Sequence, residues 1–322
     1  MELELGKRRM HNKSLSQFLQ EWAILFIFIG LFLLSAIFVD GFFTYTNIIN
    51  IFRQISFLAI IALGQFFVIL VGGIDMSPGS SIGFFSLLLA GLIYWNGLPI
   101  GVAIVVVLIG AVVIGLINGV LSVYGKLPAF IATLVTMIAL KGVNFLYSDG
   151  IPISGLPSGF KVLGAGYIGP IPIPVIILIV ITLLCWVFTM HTKTGRSLYA
   201  VGGNEEASRL SGINTNRIKL LAFVIGSVLT ALGTILITSR TMAGQPTLGD
   251  TMLFDIITIV VLGGTSLSGG RGKVFGVVIA ALILGIIDNV MVLMGIGSYW
   301  QWIIKGAILA AVVVIDAHSK KN

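Results

Sequence analysis

The chain has 322 residues, of which 57% are hydrophobic and only 10% charged, and its mean hydropathy is +1.10. A soluble domain carries about 25% charged residues, so the composition excludes a soluble globular protein and indicates a polytopic membrane protein. The net charge of +7 lies beside apolar runs, where it reports orientation rather than affinity for nucleic acid.

Residues 1–21 are polar and basic, and no small-residue cleavage site follows the first apolar run. This reads as a retained cytoplasmic tail. A span needs about twenty apolar residues, fewer where part of it is buried in protein. Candidate spans are 22–39, 53–71, 80–95, 100–123, 128–147, 172–190, 218–238, 252–264, 274–294 and 299–316, with a short tail at 317–322. The expectation is an all-α transmembrane bundle over 22–316, with about ten spans and both termini cytoplasmic. Run 80–95 is rich in Gly and Ser, and 252–264 is short, so eight or nine crossings stay open. On one side fall Lys7, Arg8, Arg9, Lys13, Lys126, the cations of 191–219, Arg271, Lys273, Lys320 and Lys321; on the other fall Lys161 and Arg240. Excess Lys and Arg marks the cytoplasmic side. Cys185 is alone, so no internal disulfide can form.

The block Gly72-Gly73-Ile74-Asp75-Met76-Ser77-Pro78-Gly79 cannot continue a regular helix. Its freed backbone groups must face protein or a wet cavity. Asp75 and Ser77 can cap a helix resuming near Ser80 or Ser81. Two readings stay open: a capped turn between spans, or a polar rung of a solute path. A related block at 260–270 parallels 69–79, and 281–295 parallels 111–125. The second copy is about one span shorter, so either one block is re-entrant or one weak span is not a full crossing. Internal repeats of this kind place a solute path at the interface between halves, along broken helices. The second block offers Thr265, Ser266 and Ser268. Its Gly-Gly-Arg-Gly-Lys end is not a phosphate loop, because the first glycine is missing and Val274 stands where Ser or Thr binds magnesium.

The segment 148–174 is rich in Gly and Pro and reads as an external connector or a docking surface. Ionisable residues within spans are Lys141, Asp255, Asp288 and Lys305, with Arg53 at an edge. Each is costly in the bilayer and must face the bundle or a partner. Asp255 and Lys305 are opposite in sign and can pair. Amides in or near spans are Asn118, Asn144, Asn289, Gln65, Gln245 and Gln301. No metal-ligand or nucleophile constellation is visible.

The polar stretch 191–219 reads HTKTGRSLYAVGGNEEASRLSGINTNRIK. Asn204 is a good N-cap, Glu205 and Glu206 fall in a first turn, Arg209 can pair with either, and Gly212 suits a helix end. The spacing predicts a short helix over 205–211 on the cytoplasmic side. LYAVGGNEEASRLSGI resembles the cytoplasmic coupling loop of permeases of ribose/galactose/xylose-type ABC sugar importers, with Ser208 in place of an alanine in the Glu-Ala-Ala-x-x-x-Gly pattern. VGGIDMSPGS at 71–80, PAFIATLVTM at 128–137, VLGGTSLSGGRGKVFG at 261–276 and SYWQWIIKG at 298–306 are also similar to that family. Asp288 stands where the family has Asn, and Pro78 where it has Val.

The resemblance implies a transporter subunit rather than an enzyme. Gly202, Gly203, Asn204, Glu205, Glu206, Ala207, Arg209 and Gly212 would couple to an ABC ATPase subunit that carries ATP and Mg; this chain holds no cofactor. A periplasmic or lipoprotein sugar-binding protein would deliver a monosaccharide, and a second permease, the same chain or a different one, would complete the path. The location implied is the bacterial inner membrane, and the mechanism implied is alternating access. Translocation candidates are Gly72, Gly73, Asp75, Ser77, Asn118, Asn144, Gln245, Asp255, Thr265, Ser266, Asn289 and Lys305. The competing reading is an ion-coupled sugar carrier working alone, with Asp255 and Asp288 as relays.

Overall fold

The computed structural model describes residues 15–319, with side chains placed from 23 to 318. Most of the two expected tails lies outside the described residues. The described residues are mostly helical: α1 (Leu15–Phe38), α2 (Tyr45–Leu70), α3 (Pro78–Tyr94), α4 (Ile100–Val123), α5 (Ala129–Ser148), α6 (Lys161–Ala165), α7 (Ile173–His191), α8 (Lys193–Gly203), α9 (Glu205–Leu210), α10 (Thr215–Thr241), α11 (Met252–Leu262), α12 (Val274–Leu293) and α13 (Ser298–Ser319). Seven of these, α2, α4, α5, α7, α10, α12 and α13, are long and apolar enough to cross a membrane. Shorter apolar helices are residues 23–38 of α1, α3 and α11. Prolines mark the starts: Pro99, Pro128 and Pro172 precede α4, α5 and α7, and Pro78 opens α3. The first helical turn leaves its N–H groups unpaired, so the missing donor of proline costs nothing there.

The core forms around α2, which is buried almost continuously from Ile55 to Leu70. α10 packs on it through small residues. A Cβ on Gly64 would lie 2.6 Å from the Gly226 carbonyl oxygen, so the two backbones touch. Gly115 of α4 meets α10 the same way, with a Cβ 2.6 Å from the Val224 Cα. Lipid gives no hydrophobic drive between helices, so contact this close is what binds them. Outward, α4, α5, α7 and α13 expose Ile109, Ile138, Leu184 and Ile303, as a lipid-facing surface requires.

Contacts sort the connections onto two faces. On the basic face Gly270 N–H donates to the Leu70 carbonyl at 2.9 Å, and Gly202 lies against both groups. On the opposite face β1 (Ile153–Ser154) pairs antiparallel with β4 (Ala243–Gly244), and Asn47 exchanges amide hydrogen bonds with Asn289 at 2.9 and 2.7 Å. The expected loop at 148–174 is therefore structured: it holds α6 and a second small ladder of β2 (Tyr167–Ile168) with β3 (Ile171–Pro172). These short strands qualify the all-α expectation without altering the bundle.

Each of the two weak spans is a short helix joined to an extended limb. The expected run 80–95 is a 17-residue helix preceded by an extended limb, 71–77. That limb leaves Gly73 beside Ala129, at the start of α5, and brings Gly79 to Met137. Met137 lies about 12 Å further along α5 at 1.5 Å per residue. α3 thus starts at Pro78, inside the molecule, and not at Ser80 or Ser81. The expected run 252–264 is an 11-residue helix, roughly 16 Å long against a bilayer core of about 30 Å. Its missing half is the limb 243–251, which runs down α3: Gly244 lies against Ser86 and Ala90, the Pro246 carbonyl against Gly83, and Gly249 against the carbonyls of Pro78 and Gly79. The two breaks meet where α3 begins.

Candidate functional site: the junction of the two interrupted segments and the cleft beside it

An extended limb inside a bundle leaves backbone groups that side chains must satisfy. Asp75 accepts from Ser77 N–H at 2.8 Å, and Thr133 of α5 accepts from Met76 N–H at 2.9 Å. Asn118 of α4 donates to the Ser77 hydroxyl at 2.9 Å. Ser77 itself makes no side-chain cap bond to α3; Asp75 closes the turn instead. Asn144 of α5 ties the two limbs together, its amide donating to the Ser80 carbonyl at 3.0 Å and the Pro246 carbonyl at 3.2 Å. The Gln245 N–H donates to Ser86 at 3.2 Å. The carbonyl oxygens of the Asn118 and Asn144 side chains are buried without a protein partner.

Beside this junction a cleft of about 550 Å³ opens between α11 and α13. Asp250, Asp255, Thr258, Trp302 and Lys305 line it. Lys305 pairs with Asp255 at 2.8 Å and with Asp288 of α12 at 3.0 Å, all three side chains being mostly buried. The expected Asp255–Lys305 pair is thus a triad, with one cation for two carboxylates. Lys141 of α5 pairs with Asp250 at 3.1 Å, and here the side chains are 50% and 35% exposed. Lys141 stands twelve residues past the start of α5 at Ala129, too deep for exposed charge to face lipid. This surface faces water or protein. Trp302, Thr258 and these ion pairs supply the aromatic, hydroxyl and charged groups of the cleft.

The basic face carries the second cluster. The polar stretch holds two helices where one was expected. α8 was missed because its apolar face, Leu198 and Val201, is spread thinly among Gly, Lys and Arg; Thr192 caps it at 2.9 Å. α9 forms as its local chemistry dictates. Asn204 accepts from Ala207 N–H at 2.9 Å, Glu205 and Glu206 occupy the first turn, Arg209 pairs with Glu206 at 2.7 Å, and Gly212 takes φ +85 after the last turn. Glu205 pairs instead with Lys219 at the start of α10. Gly202 ends α8 against the junction of both Gly-rich blocks: a Cβ there would overlap the Leu70 carbonyl and come 2.5 Å from Gly270 N, whereas Gly203 Cβ would meet nothing.

The structure therefore places Gly72, Gly202 and Gly203 together on the basic face, with Thr265 and Ser266 in the neighbouring block. Asp75, Ser77, Asn118, Asn144 and Gln245 lie at the mid-depth junction, and Asp255 and Lys305 in the cleft. Asn289 is apart, bonded to Asn47 at the opposite face. Sequence reasoning did not select Asp250 and Trp302. Asp250 sits in a limb that no local pattern marks, and its sole signal was an acid close before an apolar run.

The family described as branched-chain amino acid transport system / permease component matches residues 47–313. The ribose import permease protein of Haemophilus influenzae is 41% identical over 314 residues, covering 96% of this chain and 97% of that protein. The ribose import permease protein of Bacillus subtilis is 40% identical over 317 residues, covering 98% and 97%. The xylose transport system permease protein of H. influenzae is 32% identical over 337 residues, covering 86% and 90%. No solved structure matches.

Proposed function

Because the chain belongs to the permease family of ABC sugar importers, we propose that it forms half of an ATP-driven route for a monosaccharide of the ribose or xylose class across the bacterial inner membrane. In this reading the basic face is cytoplasmic, α3 and α11 with their limbs count as crossings, and ten crossings leave both termini inside. α9 docks on a separate ATPase that binds ATP and Mg. A binding protein delivers sugar to the opposite face, and a second permease, a copy or a relative, covers the exposed Lys141–Asp250 surface. The cleft lined by Asp255, Trp302 and Lys305 belongs to the sugar route.

The observation that carries the reading is the seat of Gly202. One turn before the docking helix, the backbone of α8 is wedged against the ends of both α2 and the second Gly-rich block. A push on α9 reaches the broken crossings without passing through flexible side chains. Interior packing is too dense to absorb such a displacement, so it emerges as movement of the helices that line the path.

The test is capture of the ATPase by the purified permease. Glu206→Arg puts a cation in the first turn of α9, where the helix dipole favours an anion, and is expected to release the ATPase while the permease stays folded in the membrane. Retained capture counts against docking through α9. Uptake of sugar by this chain alone in vesicles, driven by a proton gradient with no ATPase, would sink the ATP-driven mechanism and restore the ion-coupled carrier.

A further inference from the structure

A second cleft, of about 350 Å³, opens on the basic face between the first limb, the α4–α5 turn and the start of α10. Gly72, Gly73, Ser122, Lys126, Ala129 and Lys219 line it, and no acid does. Lys126 is held in the left-handed region at φ +54, a conformation a lysine rarely adopts, and forms no ion pair among the described residues. The first turn of α5 opens beside it without a side-chain cap, so its leading amides add donors. Lys219 lines the cleft while paired with Glu205 of α9.

We propose that this cleft binds a phosphate group, held by Lys126 and Lys219, from a soluble phosphate ester or from an anionic phospholipid. The Lys126 ammonium, a hydroxyl and helix-terminal amides are donors with no acid in the lining, and Lys219 adds a second ammonium that Glu205 shares; phosphate oxygens satisfy such donors. Glu205 and the phosphate compete for Lys219, so occupancy of the cleft weakens a contact that α9 makes with α10.

The test reads thermal unfolding of the purified full chain. One arm titrates sodium phosphate in nonionic detergent against sodium chloride at matched ionic strength. The other compares nanodiscs of phosphatidylcholine with nanodiscs containing phosphatidylglycerol. A raised midpoint in the first arm assigns soluble phosphate, and in the second, lipid phosphate. Lys126→Gly keeps the left-handed turn without strain and is expected to weaken the response at least about tenfold in apparent affinity, the loss of one charge-assisted contact; Lys126→Arg retains it. Glu205→Gln frees Lys219 and is expected to strengthen binding. No rise in either arm, or Lys126→Gly responding like the wild type, overturns the site. Unchanged affinity in Glu205→Gln overturns the competition for Lys219.

Discussion

Lys305→Met isolates the charge that holds the cleft together. Methionine keeps most of the lysine stem, so packing between α11 and α13 changes little while the ammonium group is lost. That group lies 2.8 Å from Asp255 and 3.0 Å from Asp288, and the three side chains are 21%, 12% and 19% exposed. Two carboxylates then remain without a cation, both mostly buried. Removing one partner of a buried pair costs about 3–5 kcal/mol, and the second carboxylate places this site at the upper end. Asp288→Asn should behave differently. One Asp288 oxygen has no hydrogen-bond partner, and the substitution leaves a balanced Asp255–Lys305 pair, so stability should stay within about 1 kcal/mol of the wild type. Combining Lys305→Met with Asp255→Asn and Asp288→Asn removes every charge and should recover most of the loss. Unfolding of the purified variants in mixed micelles, followed by tryptophan fluorescence and treated as a mutant cycle, measures these differences. A Lys305→Met midpoint equal to that of the wild type refutes the reasoning. So does an Asp288→Asn loss as large as that of Lys305→Met.

Asn144→Leu strips the donor shared by the Ser80 and Pro246 carbonyls and should cost roughly 2–5 kcal/mol, read from the same unfolding assay. Gly202→Ala forces a methyl against the Leu70 carbonyl. It should destabilise by about 1–3 kcal/mol and depress ATP-driven uptake while α9 still captures the ATPase; loss of capture instead would place the defect in docking. Asn204→Ala removes the cap of α9, worth about 1 kcal/mol, and should speed amide exchange over residues 205–210 without changing exchange in α2.

The sequence made α9 legible down to its cap and its Arg209 pair, because each interaction lies within a few residues of its partner. The long helices α4, α5, α7, α10 and α12 were legible for a similar reason: uninterrupted apolar runs announce them. The two interrupted segments were visible only as trouble, one run too rich in Gly and Ser and one too short. Their resolution rests on contacts between Gly79 and Met137, Gly83 and Pro246, and Pro78 and Gly249, and no local window contains such pairs. The same distance hid the Lys141–Asp250 pair and the second acid on Lys305. The start of α3 was misplaced because Asp75 satisfies the Ser77 N–H, a bond that substitutes for a cap and lets Pro78 open the helix.

The limb 243–251 has a consequence for biogenesis. It covers the face of α3 that carries Gly79, Gly83 and Ala90, yet the ribosome makes it after α4, α5, α7 and α10. Until it emerges, α3 is a nascent helix with that side unfilled, lacking the backbone contacts that Gly244, Pro246 and Gly249 supply. A polypeptide halted before residue 243 leaves α3 unsettled, however complete its own residues are.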